Sequence, residues 1–169
     1  NGLDNGTGDP NEVLINTTAN PINVTYAYSL VANGCPSSLT SNVVVRVNPS
    51  PTLSSSLTPP AMCSGGTFSY TPTSATTGAT FAWTRPVVTG ISNAFGSGST
   101  NPNEVLVNTT TSDINVTYIY SVSANGCTNT TTFSVVVPVT ASPTLSSNLA
   151  APASCSGTPL NYAPTSAGP

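Results

Sequence analysis

The stretch Ile114-Asn115-Val116-Thr117-Tyr118-Ile119-Tyr120-Ser121-Val122-Ser123-Ala124-Asn125-Gly126-Cys127 decides the fold. Ile114, Val116, Tyr118, Tyr120, Val122 and Ala124 fall on one side of a period of two. Asn115, Thr117, Ser121 and Ser123 fall on the other. This alternation predicts a strand with one buried face and one wet face. Asn-Gly signals a tight turn after it, and a returning strand carries Phe133, Val135, Val137 and Val139 inward. Earlier in the chain, Ile22, Val24, Tyr26, Tyr28, Leu30 and Ala32 show the same alternation ahead of Asn33-Gly34-Cys35.

The likeness extends well beyond these strands. Pro10-Asn11-Glu12-Val13-Leu14 recurs as Pro102-Asn103-Glu104-Val105-Leu106, Ser50-Pro51-Thr52-Leu53 as Ser142-Pro143-Thr144-Leu145, and Cys63-Ser64-Gly65 as Cys155-Ser156-Gly157. Every pair lies 92 residues apart. Of the 77 pairs that align without a gap, 43 are identical, which chance does not produce. Pro-rich stretches at Asn48-Pro49-Ser50-Pro51 and Ala141-Ser142-Pro143 read as linkers. The expected organisation is the C-terminal half of a β-sandwich repeat at 1–49, a complete repeat at 50–141 and the N-terminal part of the next repeat at 142–169. The sequence reads as a window on an array, joined covalently or built from chains that complete one another's half-domains.

Within 50–141 the expected strands are Thr67–Thr71 (Phe68 and Tyr70 inward), Thr80–Arg85 (Phe81 and Trp83 inward), Val105–Thr109 and the two strands above, with a short first strand near Thr52–Ser55. No helical periodicity appears, and 16 Pro with 13 Gly oppose one. About seven short strands in a segment of this length predict an all-β, immunoglobulin-like sandwich. Trp83, Tyr118 and Tyr120, with Tyr26 and Tyr28 in the earlier copy, are the expected core anchors.

Composition narrows the function. The chain of 169 residues has 2 Arg, no Lys, no His and 5 acidic residues, a net charge of −3. Charged residues make up 4%, against about 25% in ordinary soluble domains. Without His or Lys there is no Ser-His-Asp triad, no Schiff-base lysine and no Walker-type phosphate loop. No catalytic constellation and no cofactor site can be drawn, so the expectation is a non-enzyme. With no basic patch, nucleic acid is not an expected partner, and no apolar run reaches the roughly 18 residues of a membrane span. In place of charge there are 24 Ser, 28 Thr and 18 Asn.

Cys63-Ser64-Gly65-Gly66 ahead of a strand, Phe81-Ala82-Trp83, and Val116-Thr117-Tyr118-Ile119-Tyr120-Ser121-Val122 leading into Asn125-Gly126-Cys127 together resemble PKD-like, immunoglobulin-like tandem repeats of bacterial cell-surface proteins. The sequence departs from the PKD pattern after the tryptophan, where Thr84-Arg85-Pro86 stands in place of an Asp/Gly-rich loop. The resemblance implies an extracellular, non-catalytic stalk, spacer or adhesin segment.

Three kinds of site follow as expectations. Cys35, Cys63, Cys127 and Cys155 suit disulfides. Cys63 precedes the second strand of a sandwich and Cys127 follows the sixth, so a bond from the Cys63 position to the Asn-Gly-Cys position of the next repeat is favoured, with a Cys63–Cys127 bond as the alternative. Asn16, Asn23, Asn108 and Asn115 form two repeated pairs of glycosylation sequons, with further sequons at Asn5 and Asn129, although a chain this rich in Asn and Thr also makes sequons by chance. Asp4, Asp9 and Glu12, with Asn5 and Asn11, supply oxygen ligands for a weak calcium candidate. The expected partners are neighbouring copies of the same repeat, stacked into an extracellular rod, stalk or filament. The alternatives are an adhesin module that binds glycan or another cell, and spacer repeats of a secreted enzyme.

Overall fold

A computed structural model describes residues 5–167. All twelve elements are strands: β1 (Ile22–Ala32), β2 (Cys35–Val47), β3 (Met62–Cys63), β4 (Thr67–Phe68), β5 (Thr80–Arg85), β6 (Gly96–Gly98), β7 (Glu104–Val105), β8 (Ile114–Ala124), β9 (Cys127–Thr128), β10 (Phe133–Thr140), β11 (Thr144–Leu145) and β12 (Ser166–Ala167). The chain divides into two compact units. One comprises Asn1–Ser55, Pro72–Phe81 and Ser121–Thr132; the other comprises Ser56–Thr71, Ala82–Tyr120 and Phe133–Pro169.

The central sheet has six strands in the order β3-β10-β8-β5-β6, with β9 on β8. β8 and β10 run antiparallel, with Tyr118 opposite Val135 and Val116 opposite Val137. β4 and β7 form a second, two-stranded sheet. In the second compact unit Phe68 of β4 stacks on Tyr118 at 4.8 Å, Tyr70 lies against Tyr120 at 5.4 Å, and Trp83 meets Tyr118 edge-on at 5.5 Å. Val116, Tyr118, Tyr120, Val135, Val137, Val139 and Leu106 are fully buried. The alternation read from β8 therefore places its inward side chains in a real core.

Several expected strands are shorter. β4 stops at Phe68, and beyond it the Tyr70 hydroxyl donates to the Ser56 carbonyl at 3.0 Å. The segment near Thr52–Ser55 is no strand; it is tied by the Ser54 amide to the Thr73 carbonyl at 2.7 Å. Val105–Thr109 shrinks to β7 and an isolated bridge between Ile91 and Asn108. Competition from side chains for backbone groups accounts for that break, because the Asn108 side chain takes up the local donors and acceptors.

The first compact unit contains the β1–β2 hairpin, whose register pairs Tyr26 with Val43 and Val24 with Val45. Its turn is built like that at the end of β8. Asn33 and Asn125 have φ of 51° and 53°, and Gly34 and Gly126 have 78° and 80°, the two positive angles of a hairpin turn that Asn-Gly adopts readily. One expectation fails here. Tyr26 and Tyr28 are partly exposed, whereas their counterparts Tyr118 and Tyr120 are sealed. Among the described residues, the apolar face of β1–β2 has no second layer over it comparable to Phe68 and Tyr70.

Other small structures recur 92 positions apart. Tyr26 donates to Glu12 as Tyr118 does to Glu104, both at 2.7 Å. Ser146 meets Thr165 as Ser54 meets Thr73, both at 3.0 Å. Tyr162 donates to the Asn148 carbonyl as Tyr70 does to Ser56.

Candidate functional site

The most distinctive chemistry lies inside the sandwich. Period two along β5 puts Phe81, Trp83 and Arg85 on one side, and Arg85 is 1% exposed. Its guanidinium donates through Nε and Nη2 to the two Glu104 oxygens at 2.8 and 2.9 Å, and to the Pro86 and Ala94 carbonyls. The Tyr118 hydroxyl donates to Glu104 Oε2 at 2.7 Å. The Arg85 hydrogen bonds hold the Glu104 carboxyl below its ordinary range against the opposing effect of burial. Burial, then the bond to Glu104, pushes the Tyr118 phenol upward. Nothing here is nucleophilic: the carboxylate is neutralised, the arginine is permanently charged and the phenol is locked as a donor. The arrangement is a polar clamp joining β5, β7 and β8.

Gly96 and Gly98 of β6 complete it. A Cβ on Gly98 would come within 3.0 Å of the Trp83 ring, and one on Gly96 within 2.8 Å of Glu104. The Trp83 indole donates to the Thr100 carbonyl at 2.6 Å. Trp83 is an expected core anchor; the Arg85–Glu104 pair and the glycine strand are not among the expectations from sequence. The signal was present, since alternation from Phe81 and Trp83 leads directly to Arg85.

The four sequon asparagines separate into two kinds. Asn108 is buried; its Nδ2 donates to the Ser112 and Val139 carbonyls, and its Oδ1 accepts from the Thr110 amide and hydroxyl. Asn16 makes the matching set with Asn20, Val47 and Thr18. Both amide hydrogens are used, so a sugar on Nδ2 would take the place of one of these two bonds at each asparagine. Asn23 and Asn115 sit exposed on the outward faces of β1 and β8. For the calcium candidate, Asp4 lies outside the described residues and Glu12 is engaged by Tyr26. No group of three His, Cys, Asp or Glu that could hold a metal occurs among the described residues.

All four cysteines are free thiols; Cys35, Cys63 and Cys155 are exposed and Cys127 is partly so. Cys63 stands in register with Thr140, one step beyond the Val139–Ile114 pair, while Cys127 pairs with Ala124. Ile114 and Ala124 are the two ends of β8, about 33 Å apart at roughly 3.3 Å per residue. A disulfide needs Cα atoms within about 7 Å. Neither the favoured pairing nor the Cys63–Cys127 alternative is formed in this structure.

The linker at 48–51 is equally defined. Pro49 and Pro51 are fully buried. Asn48 Nδ2 donates to the Asn125 carbonyl at 2.8 Å, and Asn129 Nδ2 to the Pro51 carbonyl at 2.9 Å. Asn129 interrupts the strand after Thr128; its counterpart in the first copy, Ser37, lies inside the unbroken β2.

No helix among the described residues is long and apolar enough to cross a membrane. No curated protein and no solved structure matches the chain. Residues 60–143 match the PKD-like domain family. Such domains are typically surface or extracellular modules of immunoglobulin-like fold. Over residues 60–143 the chain is thus similar to the PKD-like domain family, the resemblance expected from its sequence.

Proposed function

We propose that the protein is a structural element of an extracellular rod or filament, in which PKD-like sandwiches repeat every 92 residues and stack head to tail. The observation that carries this reading is the seated linker. Two buried prolines and two asparagine side chains fix the chain where it enters the 50–141 segment, whereas a flexible spacer would leave its linker solvated. The low charge fits the same role, because identical units in close contact repel less when few charges are present.

The cysteines fit the joint as well. Cys63 is in register with Thr140, and the residue 92 positions before Thr140 is Asn48. Asn48 is bonded to Asn125, two residues before Cys127. The Cys63 position of one repeat thus falls beside the Asn-Gly-Cys turn of the next. An oxidised disulfide there would restrain bending at each joint.

Arrays of three and six copies of the 50–141 segment test the reading. Small-angle scattering should show a maximum dimension that rises in proportion to copy number, and Asn48→Ala with Asn129→Ala, applied at every equivalent joint position, should shorten the mean dimension. Arrays as compact or as flexible as unlinked beads would refute it.

A further inference from the structure

β3 lies at the edge of the central sheet and runs parallel to β10, with Met62 opposite Val139 and Cys63 opposite Thr140. Upstream of it, the Val136 amide donates to the Leu57 carbonyl at 2.9 Å. At the other end, the Ser64 amide donates to the Thr140 carbonyl at 3.0 Å, and the Thr140 hydroxyl donates to the Met62 carbonyl at 3.1 Å. Segment 57–64 is thus a strap laid along the outer edge of β10, within the second compact unit. Between the two bonded stretches the strap passes Thr58-Pro59-Pro60-Ala61 while β10 passes Val137 and Pro138. Three of those six residues are prolines, which have no N–H to leave unpaired and a fixed φ that resists recoiling.

The chain enters this sheet through the strap and leaves it through β10. A pull along the chain therefore draws Leu57 backward and Thr140 forward. Because the two segments are parallel, they are forced to slide past each other, and all the bonds between them are strained at once. In an antiparallel pair pulled apart from one end, the bonds open one after another. We infer that the strap on β10 is a mechanical lock that makes this sandwich resist tension along the chain.

Asn108 reinforces the lock. Its amide donates to Ser64 Oγ at 2.9 Å and its Nδ2 to the Val139 carbonyl at 2.9 Å, so one residue holds the end of the strap to the end of β10. Beyond Ser64, the Gly65 amide donates to the Leu106 carbonyl at 2.8 Å and the Leu106 amide to the Gly66 carbonyl at 3.1 Å, which keeps the strap from peeling at that end. Leu57, Thr58, Pro60, Ala61 and Cys63 are exposed, so hydrogen bonds rather than apolar burial hold the strap down. The inference goes beyond the rod, since it concerns tension within one sandwich and needs no stacking of neighbours.

Single-molecule pulling of the full chain in two directions tests the inference, with each cysteine replaced by serine so that handles attach only where placed. Handles at the two chain ends load the strap. The lock should open in one step that frees the 83 residues following Leu57 up to Thr140, about 270–300 Å of extended chain. Handles at the exposed position Thr111→Cys and at the C-terminal end instead unzip β8 from β10, starting at Ile114 and Val139, and free about 100 Å. β8 and β10 share a far longer ladder than β3 and β10, yet the end-to-end direction should need at least about twice the force.

Val136→Pro removes the bond to Leu57 and spares the ladder. Val135 and Val137 face Tyr118 and Val116 across it, and the row that points away from β8 already holds Pro138. At constant force this variant should shorten the end-to-end lifetime by about two- to tenfold, the effect of one lost hydrogen bond, and leave the unzipping lifetime unchanged. Thr140→Val, which removes only the hydroxyl bond to Met62, should act in the same sense and carries the test if Val136→Pro does not fold. A general loss of stability would instead shift both directions alike. An end-to-end force no higher than the unzipping force, a release in several small steps, or an equal effect of the variants in both directions would overturn the inference. The readout is the force on one sandwich, so its failure is separate from a failure of the array scattering.

Discussion

Glu104→Ala should be among the most damaging single substitutions in the buried core around Tyr118. It removes the carboxylate that accepts two guanidinium bonds and one phenol bond, and leaves Arg85 as a cation with 1% exposure. Breaking a buried pair by deleting one partner costs about 3–5 kcal/mol, and stranding the Tyr118 hydroxyl adds about 1 kcal/mol. Glu104 itself is 20% exposed, so water relieves part of this and the lower half of the range applies. For a segment of this size the loss corresponds to a fall in Tm of roughly 12–30 °C. Urea unfolding followed by Trp83 fluorescence is the assay, because the chain has a single tryptophan and it sits against Tyr118. The triple variant Arg85→Met, Glu104→Leu, Tyr118→Phe removes the charges and the orphaned hydroxyl together and should recover most of the loss. A Glu104→Ala chain within about 1 kcal/mol of the parent would refute the argument that the pair clamps the core.

Acid should act through the same group. Since the folded-state pKa of Glu104 is depressed, its contribution is present above the unfolded carboxylate range and is lost as pH falls through the folded value. Urea midpoints of the parent should therefore drop below about pH 4, and those of Glu104→Gln should change less. Gly98→Ala forces a methyl against the Trp83 ring and should cost about 1–3 kcal/mol, read from the same fluorescence transition. Expressed in a host that glycosylates sequons, the chain should carry N-linked sugar at Asn115 or Asn23 and none at Asn108 or Asn16, as peptide mass mapping would show. Asn108→Ala should lower thermal stability by about 2–4 kcal/mol through its lost internal bonds.

What the sequence made legible depended on periodicity. β8 is alternating for its whole length, and β5 was bounded correctly, because strands that face a core on one side must alternate. β3, β6 and β7 were missed or misjudged because two or three residues cannot display a period. β6 is further disguised by Gly96 and Gly98, whose role is to leave room for Trp83. Arg85 closes the alternating strand Thr80–Arg85, but only the fold reveals that Glu104 arrives to neutralise it. Asn108 was read through a sequon. Its actual work, bonding Ser112 and Val139, requires knowing where the chain returns.

The burial of Arg85 has a consequence for resistance to proteolysis. Proteases that cut after basic residues find two such residues in the whole chain. Arg85 is sealed and is followed by Pro86, a poor bond for such enzymes. Arg46 is exposed, but it lies in β2 paired with Asn23, and cleavage there requires the hairpin to open first. Placing one arginine in the core and the other in a paired strand leaves digestive enzymes of this class with no ready point of entry.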